Sequence, residues 1–107
     1  MKVDMDQVFK ELDGKVIKDG GAELKLENLA VRALNAPSSK VGPDGRIIQI
    51  GAEEKIARFN LSRKVFSGGE VDLTTDECVL IKKCIDAAYD SPLLYAEACE
   101  MIEGKKE

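Results

Sequence analysis

The chain has 107 residues, of which 44% are hydrophobic and 34% are charged, and its formal net charge is −4. These values fit one globular domain with its own core, and they disfavour a disordered tail or a protein built to coat a polyanion. No apolar stretch approaches the roughly 20 residues that span a bilayer. The first residues also lack the charged and apolar regions of a signal peptide, so we expect a cytosolic protein.

Residues 7–26 are typical of a β-hairpin or of two extended arms. Asp13-Gly14 supplies the positive φ angles of a tight turn, and Gly20-Gly21 breaks the chain a second time. A two-stranded ribbon is marginally stable alone, so we expect it to pack on helices.

Helical periodicity predicts a first helix over 26–35, which ends before Pro37. Its predicted buried face consists of Leu26, Leu29, Ala30, Ala33 and Leu34. A second helix is predicted over roughly 52–66, with acidic residues in its first turn and basic residues in its last turn. Ser67-Gly68-Gly69 is predicted to stop it. The apolar side predicted for this second helix consists of Ile56, Phe59, Leu61, Val65 and Phe66.

The third predicted helix has a capping box, in which Thr74 and Glu77 satisfy each other's backbone N–H groups. Leu73 and Cys78 are spaced to form a hydrophobic staple across the same helix start. Its predicted buried stripe consists of Leu80, Ile81, Cys84, Ile85 and Ala88.

A fourth helix is predicted to begin with a serine cap at Ser91 and with Pro92 at the first helical position. Its apolar face consists of Leu94, Tyr95, Ala98, Met101 and Ile102, and Gly104 ends it. Residues 104–107 are expected to form a frayed tail. The predicted fold is therefore α-dominant (α+β): a single domain of about four short helices with an N-terminal β-hairpin.

Residues 37–50 resemble a loop or insertion, because they are rich in Gly, Pro and Ser. Ile47, Ile48 and Ile50 lie at the end of this segment. They fit either a short strand that covers the core or an exposed edge to which a protein partner adds a strand.

The sequence has no histidine, no P-loop and no Gly-x-Ser-x-Gly motif, so we expect no enzymatic activity and no cofactor. Asp4 and Asp6 do not begin an EF-hand, because Val8, Phe9 and Lys15 stand where that loop needs oxygen ligands, a glycine and a glutamate. The cysteines are Cys78, Cys84 and Cys99. Without a Cys-x-x-Cys pair they are not expected to bind structural zinc, and we expect reduced thiols.

Nucleic-acid binding is an alternative, since Lys55, Arg58, Arg63 and Lys64 place four cations on the second helix. Acidic residues near these cations reduce the net positive charge of this side of the helix. The segment between the second and third helices is also longer than the turn of a helix-turn-helix motif.

Several segments resemble a group of small proteins encoded by tailed phages and prophages. The likeness is carried by Gly51–Phe59, Gly69–Thr74, Ile81–Lys83 and Tyr89–Leu93, together with Leu12–Ile17 and Leu29–Leu34. It covers most of the chain except residues 37–50. This group has no established activity, so the resemblance implies a fold and assigns no functional residue. By analogy it implies an accessory protein in the cytoplasm of a bacterial host, acting through protein–protein binding, for example in virion assembly.

Overall fold

The computed structural model describes residues 2–36, 45 and 51–104 of the chain. The strands in these ranges are β1 (Lys2–Asp4), β2 (Lys18–Asp19), β3 (Ala22–Glu23) and β4 (Glu70–Asp72). The helices are α1 (Leu26–Asn35), α2 (Ala52–Phe66), α3 (Thr75–Ala88) and α4 (Pro92–Glu103). The predicted α-dominant fold class is confirmed, and α1 and α2 have their predicted bounds. None of the described helices has the length and apolar content that crossing a bilayer requires.

The N-terminal ribbon contains two successive turns. Lys10 forms a β-bridge with Val16 around the Asp13-Gly14 turn, where Gly14 adopts a φ of 87°. β2 and β3 then pair antiparallel around Gly20-Gly21. The predicted β-structure in 7–26 is therefore confirmed. The ribbon is also tied to α4, because the Lys10 N–H donates to Glu97 Oε1 at 3.0 Å.

A second two-stranded sheet joins the two halves of the sequence. β1 pairs antiparallel with β4, so that Val3 lies opposite Val71, and both side chains are buried. The Met5 N–H donates to the Gly69 carbonyl at 2.7 Å and extends this pairing. The pairing was not predicted, because two three-residue strands so far apart in sequence leave no periodicity of their own.

The core is built around α1, which packs against both α2 and α3. The residues of α1 that are buried are the predicted ones: Leu26, Leu29, Ala30, Ala33 and Leu34. α3 adds Cys78, Ile81, Cys84 and Ile85, while α4 adds Ala98 and Ile102. Ala88 is exposed, contrary to the prediction, because the last turn of α3 (86–88) is open to solvent as a whole.

The helix caps follow their sequence signals. The Glu77 N–H donates to Thr74 Oγ1 at 3.1 Å, and the Thr74 N–H donates to Glu77 Oε1 at 2.9 Å. The Ser91 hydroxyl accepts from the Leu94 N–H at 3.3 Å. Gly104 ends α4 with a φ of 74°, which glycine adopts without a Cβ clash.

The turn after α2 returns the chain to β4. Gly68 has a φ of 71°, and a Cβ on it would lie 3.0 Å from a carboxylate oxygen of Glu27. A side chain at this position would therefore be strained by the backbone and crowded by α1. The predicted glycine stop after Phe66 is confirmed.

Candidate protein-binding surface

Large apolar side chains lie exposed along one side of α2. Ile56 is 62% exposed, Phe59 is 54% exposed and Phe66 is 68% exposed. The guanidinium carbon of Arg63 lies 5.6 Å from the centroid of the Phe59 ring, a cation–π contact on the same side. We call Ile56, Phe59, Arg63 and Phe66 the α2 outer face.

The outer face corrects the predicted apolar side of α2. Leu61 and Val65 are buried as predicted, whereas Ile56, Phe59 and Phe66 are not. Each residue advances about 100° around a helix, so these three lie about 140–160° from Leu61. The five residues of the predicted apolar side therefore do not share one face of α2, and α1 covers only the side that contains Leu61 and Val65.

The inner side of α2 is anchored to α3 by charged groups. Arg58 donates to Glu54 at 3.0 Å, and Lys83 of α3 donates to the same carboxylate at 3.1 Å. The hydrogen bond from Lys83 is the main reason that the pKa of Glu54 is lowered, and the positive charge of Arg58 adds to it. The Arg58 side chain is 11% exposed. Its Nε is buried and has no hydrogen-bond partner within the described ranges.

A shallow groove of about 380 Å³ lies between α2 and α3. Its lining residues are Ala57, Asn60, Leu61, Lys64, Asp76, Glu77 and Leu80. Two of its charged groups neutralise each other, since Lys64 Nζ lies 2.8 Å from Glu77 Oε1. The groove borders the α2 surface as a mixed polar and apolar rim.

The structure does not bring the four predicted nucleic-acid-binding residues together on one surface. Arg58 lies on the buried side of α2 and Lys64 lines the groove between α2 and α3, and each is in an ion pair. Arg63 lies on the outer face over Phe59. Lys55 lies about 180° around the helix from Lys64.

The predicted partner edge at Ile47, Ile48 and Ile50 lies outside the described residues. The rest of the 37–50 segment also lies outside them, with the exception of Gly45, and so do the tail residues 105–107. Among the described residues, three of the exposed large apolar side chains lie together on the α2 outer face, whereas Leu12, Val16 and Val79 are exposed elsewhere. The signal of the outer face was present in the sequence, as apolar residues at steps of three and seven that do not share a side with Leu61.

The cysteines lie on α3 and α4. Cys78 and Cys84 are buried and Cys99 is half-buried. Burial raises the pKa of the Cys78 and Cys84 thiols, so neither has the low pKa of a reactive nucleophile. Within residues 2–36, 45 and 51–104, no three cysteine or acidic side chains converge as a metal site.

Comparisons of this chain with models of protein families, with curated proteins and with solved structures find no match.

Proposed function

We propose that this protein acts without catalysis, by binding a protein partner through the α2 outer face. The observation that carries the proposal is the exposure of Ile56, Phe59 and Phe66 on one side of one helix. Single exposed apolar residues are ordinary, but contiguous exposed apolar surface marks interaction sites. Burying a large apolar side chain contributes about 1.5–3 kcal/mol, so covering three of them supplies a substantial driving force for association.

The arrangement of α2 also favours a docking role. Its inner side is fixed by packing on α1 and by the Glu54–Lys83 bridge, which makes the outer face a rigid surface. A rigid surface loses little conformational entropy when a partner binds. Arg63 adds a cation beside the apolar groups, and arginine and aromatic residues are the types enriched at binding hot spots.

An accessory role in a phage or prophage is part of this proposal, and its support is the resemblance of residues 51–59, 69–74 and 89–93. Genome neighbourhood tests it. Flanking head and tail genes favour a role in virion assembly, whereas flanking replication genes favour the nucleic-acid alternative. That alternative has less support, because Arg58 and Lys64 are already paired with carboxylates.

Photo-crosslinking in bacterial cells that produce the full chain tests the docking surface. A photoreactive amino acid at Phe59 or Ile56 should give a discrete crosslinked product. The same group at Leu12, which is 95% exposed in the N-terminal ribbon, should give none. A product at Phe59 that disappears when Ile56→Glu is added supports the surface.

Two results would contradict the proposal. One is equal or absent crosslinking at Phe59 and Leu12. The other is a purified Phe59→Glu variant whose melting temperature falls as far as that of a core variant, since Phe59 would then be packed within its own chain.

A further inference from the structure

We propose that the partner of the α2 outer face is a second copy of this chain, with the two α2 helices packed antiparallel. This inference rests on the proposed function, because it names the occupant of the same surface.

The spacing of the outer side of α2 is that of a helix–helix seam. Ala52, Ile56, Phe59, Arg63 and Phe66 follow one another at alternating steps of four and three residues. This is the a/d pattern with which two helices pack side by side at a shallow angle. All five residues are exposed.

Charge determines the direction of the second helix. Glu53 lies in the first turn of α2 and Arg63 in the last two turns, and neither has an ion-pair partner among the described residues. In a parallel pair the two Arg63 side chains, which lie on the seam, would face each other, and their like charges would repel. In an antiparallel pair Glu53 of each copy lies beside Arg63 of the other, so the dimer contains two Glu53–Arg63 ion pairs related by the two-fold axis.

The register follows from the same pair. The two-fold axis crosses the seam at the level halfway between positions 57 and 58 of α2. At this register Ile56 of one copy packs against Phe59 of the other. Ala52 then opposes Arg63, where its small side chain leaves room for the arginine's aliphatic stem. Phe66 lies beyond the last of these layers and contributes at the edge.

The length of the seam sets the expected affinity. The twelve residues from Ala52 to Arg63 span about 18 Å of helix. Two helices of that length form a contact at the low end of specific interfaces, which bury about 1,200–2,000 Å². We therefore expect a reversible dimer with a micromolar dissociation constant.

Sedimentation equilibrium of the full chain tests the inference. Over about 1–500 µM, a range that brackets a micromolar constant, the mass should rise from 11.7 kDa towards twice that value. Ile56→Glu and Phe59→Glu should remain monomeric. Phe66→Glu should weaken the dimer less, and Leu12→Glu, the matched control outside α2, should leave it unchanged.

A charge exchange tests the direction and the register. Glu53→Lys alone and Arg63→Glu alone should each weaken dimerisation roughly tenfold, because each creates two like-charge contacts. The double variant should recover most of the wild-type affinity. A double variant no tighter than either single variant would overturn the antiparallel arrangement.

The homodimer and the docking surface are overturned by different results. A wild-type chain that stays monomeric up to 500 µM overturns the homodimer. The crosslinked product at Phe59 then decides the proposed function. A product of any mass other than about twice 11.7 kDa keeps the docking surface with another partner, and no product removes it.

Discussion

Lys64 of α2 donates a 2.8 Å hydrogen bond to Oε1 of Glu77, the carboxylate that also caps the start of α3. One carboxylate therefore holds the N-terminus of α3 and ties it to α2. Burial acts to raise the pKa of Glu77, but the hydrogen bonds from Lys64 and from the Thr74 backbone outweigh it. The net pKa is lowered from its ordinary value of 4.5.

This lowered pKa predicts a pH dependence of stability. A carboxyl whose pKa is lower in the folded state stabilises the fold above its ordinary pKa, and this contribution is lost as the pH falls through the folded pKa. Glu77→Gln should therefore lower the free energy of unfolding at pH 7, and the difference from wild type should shrink as the pH falls towards 3.

Urea denaturation at several pH values measures this difference. Glu100→Gln, the same change at an exposed position of α4, is the control and should have little effect at any of these pH values. A Glu77→Gln deficit that does not change with pH would contradict the role given to the charge.

The Thr74 cap predicts a moderate loss of stability. Thr74→Ala removes the hydroxyl that accepts the Glu77 N–H, and it should cost about 1 kcal/mol. For a domain of this size the melting temperature should fall by roughly 4–8 °C. Thr75→Ala, at the next and exposed position, is the control. An unchanged melting temperature for Thr74→Ala would remove the cap from the account of α3.

Alanine substitutions at a buried and at an exposed residue of α3 should have different effects on stability. Ile81 is fully buried, so Ile81→Ala leaves a cavity and should cost about 2–5 kcal/mol. Val79 is 58% exposed, and Val79→Ala should change stability by no more than about 0.5 kcal/mol. Chemical denaturation of both variants gives the comparison. Equal losses would mean that the two sides of α3 are assigned wrongly.

The three thiols should differ in reactivity. Burial raises the pKa of Cys78 and Cys84, and thiolate is the reactive form, so both should react slowly with a thiol reagent in the folded protein. Cys99 is half-buried and should react first. In denaturant all three should react at once. Fewer than three thiols in the unfolded chain, or stoichiometric zinc in the purified protein, would contradict reduced and metal-free cysteines.

The sequence by itself determined the elements whose signals are local. The stripe of Leu26, Leu29 and Leu34 predicts α1 and its buried face, because α1 is covered along one side only and its apolar residues share that side. Thr74 and Ser91 predict the starts of α3 and α4, since a cap is a contact between residues three apart. These features need no knowledge of what packs against them.

Tertiary structure decided what lies between the elements. The pairing of β1 with β4 joins Val3 to Val71, two residues with no sequence signal that connects them. α2 has apolar residues on two sides, and the sequence does not say which side α1 covers. Packing buried Leu61 and Val65 and left Ile56, Phe59 and Phe66 exposed. Hydrophobic burial has no direction of its own, so only the arrangement of neighbouring elements separates a core face from a surface that a partner can cover.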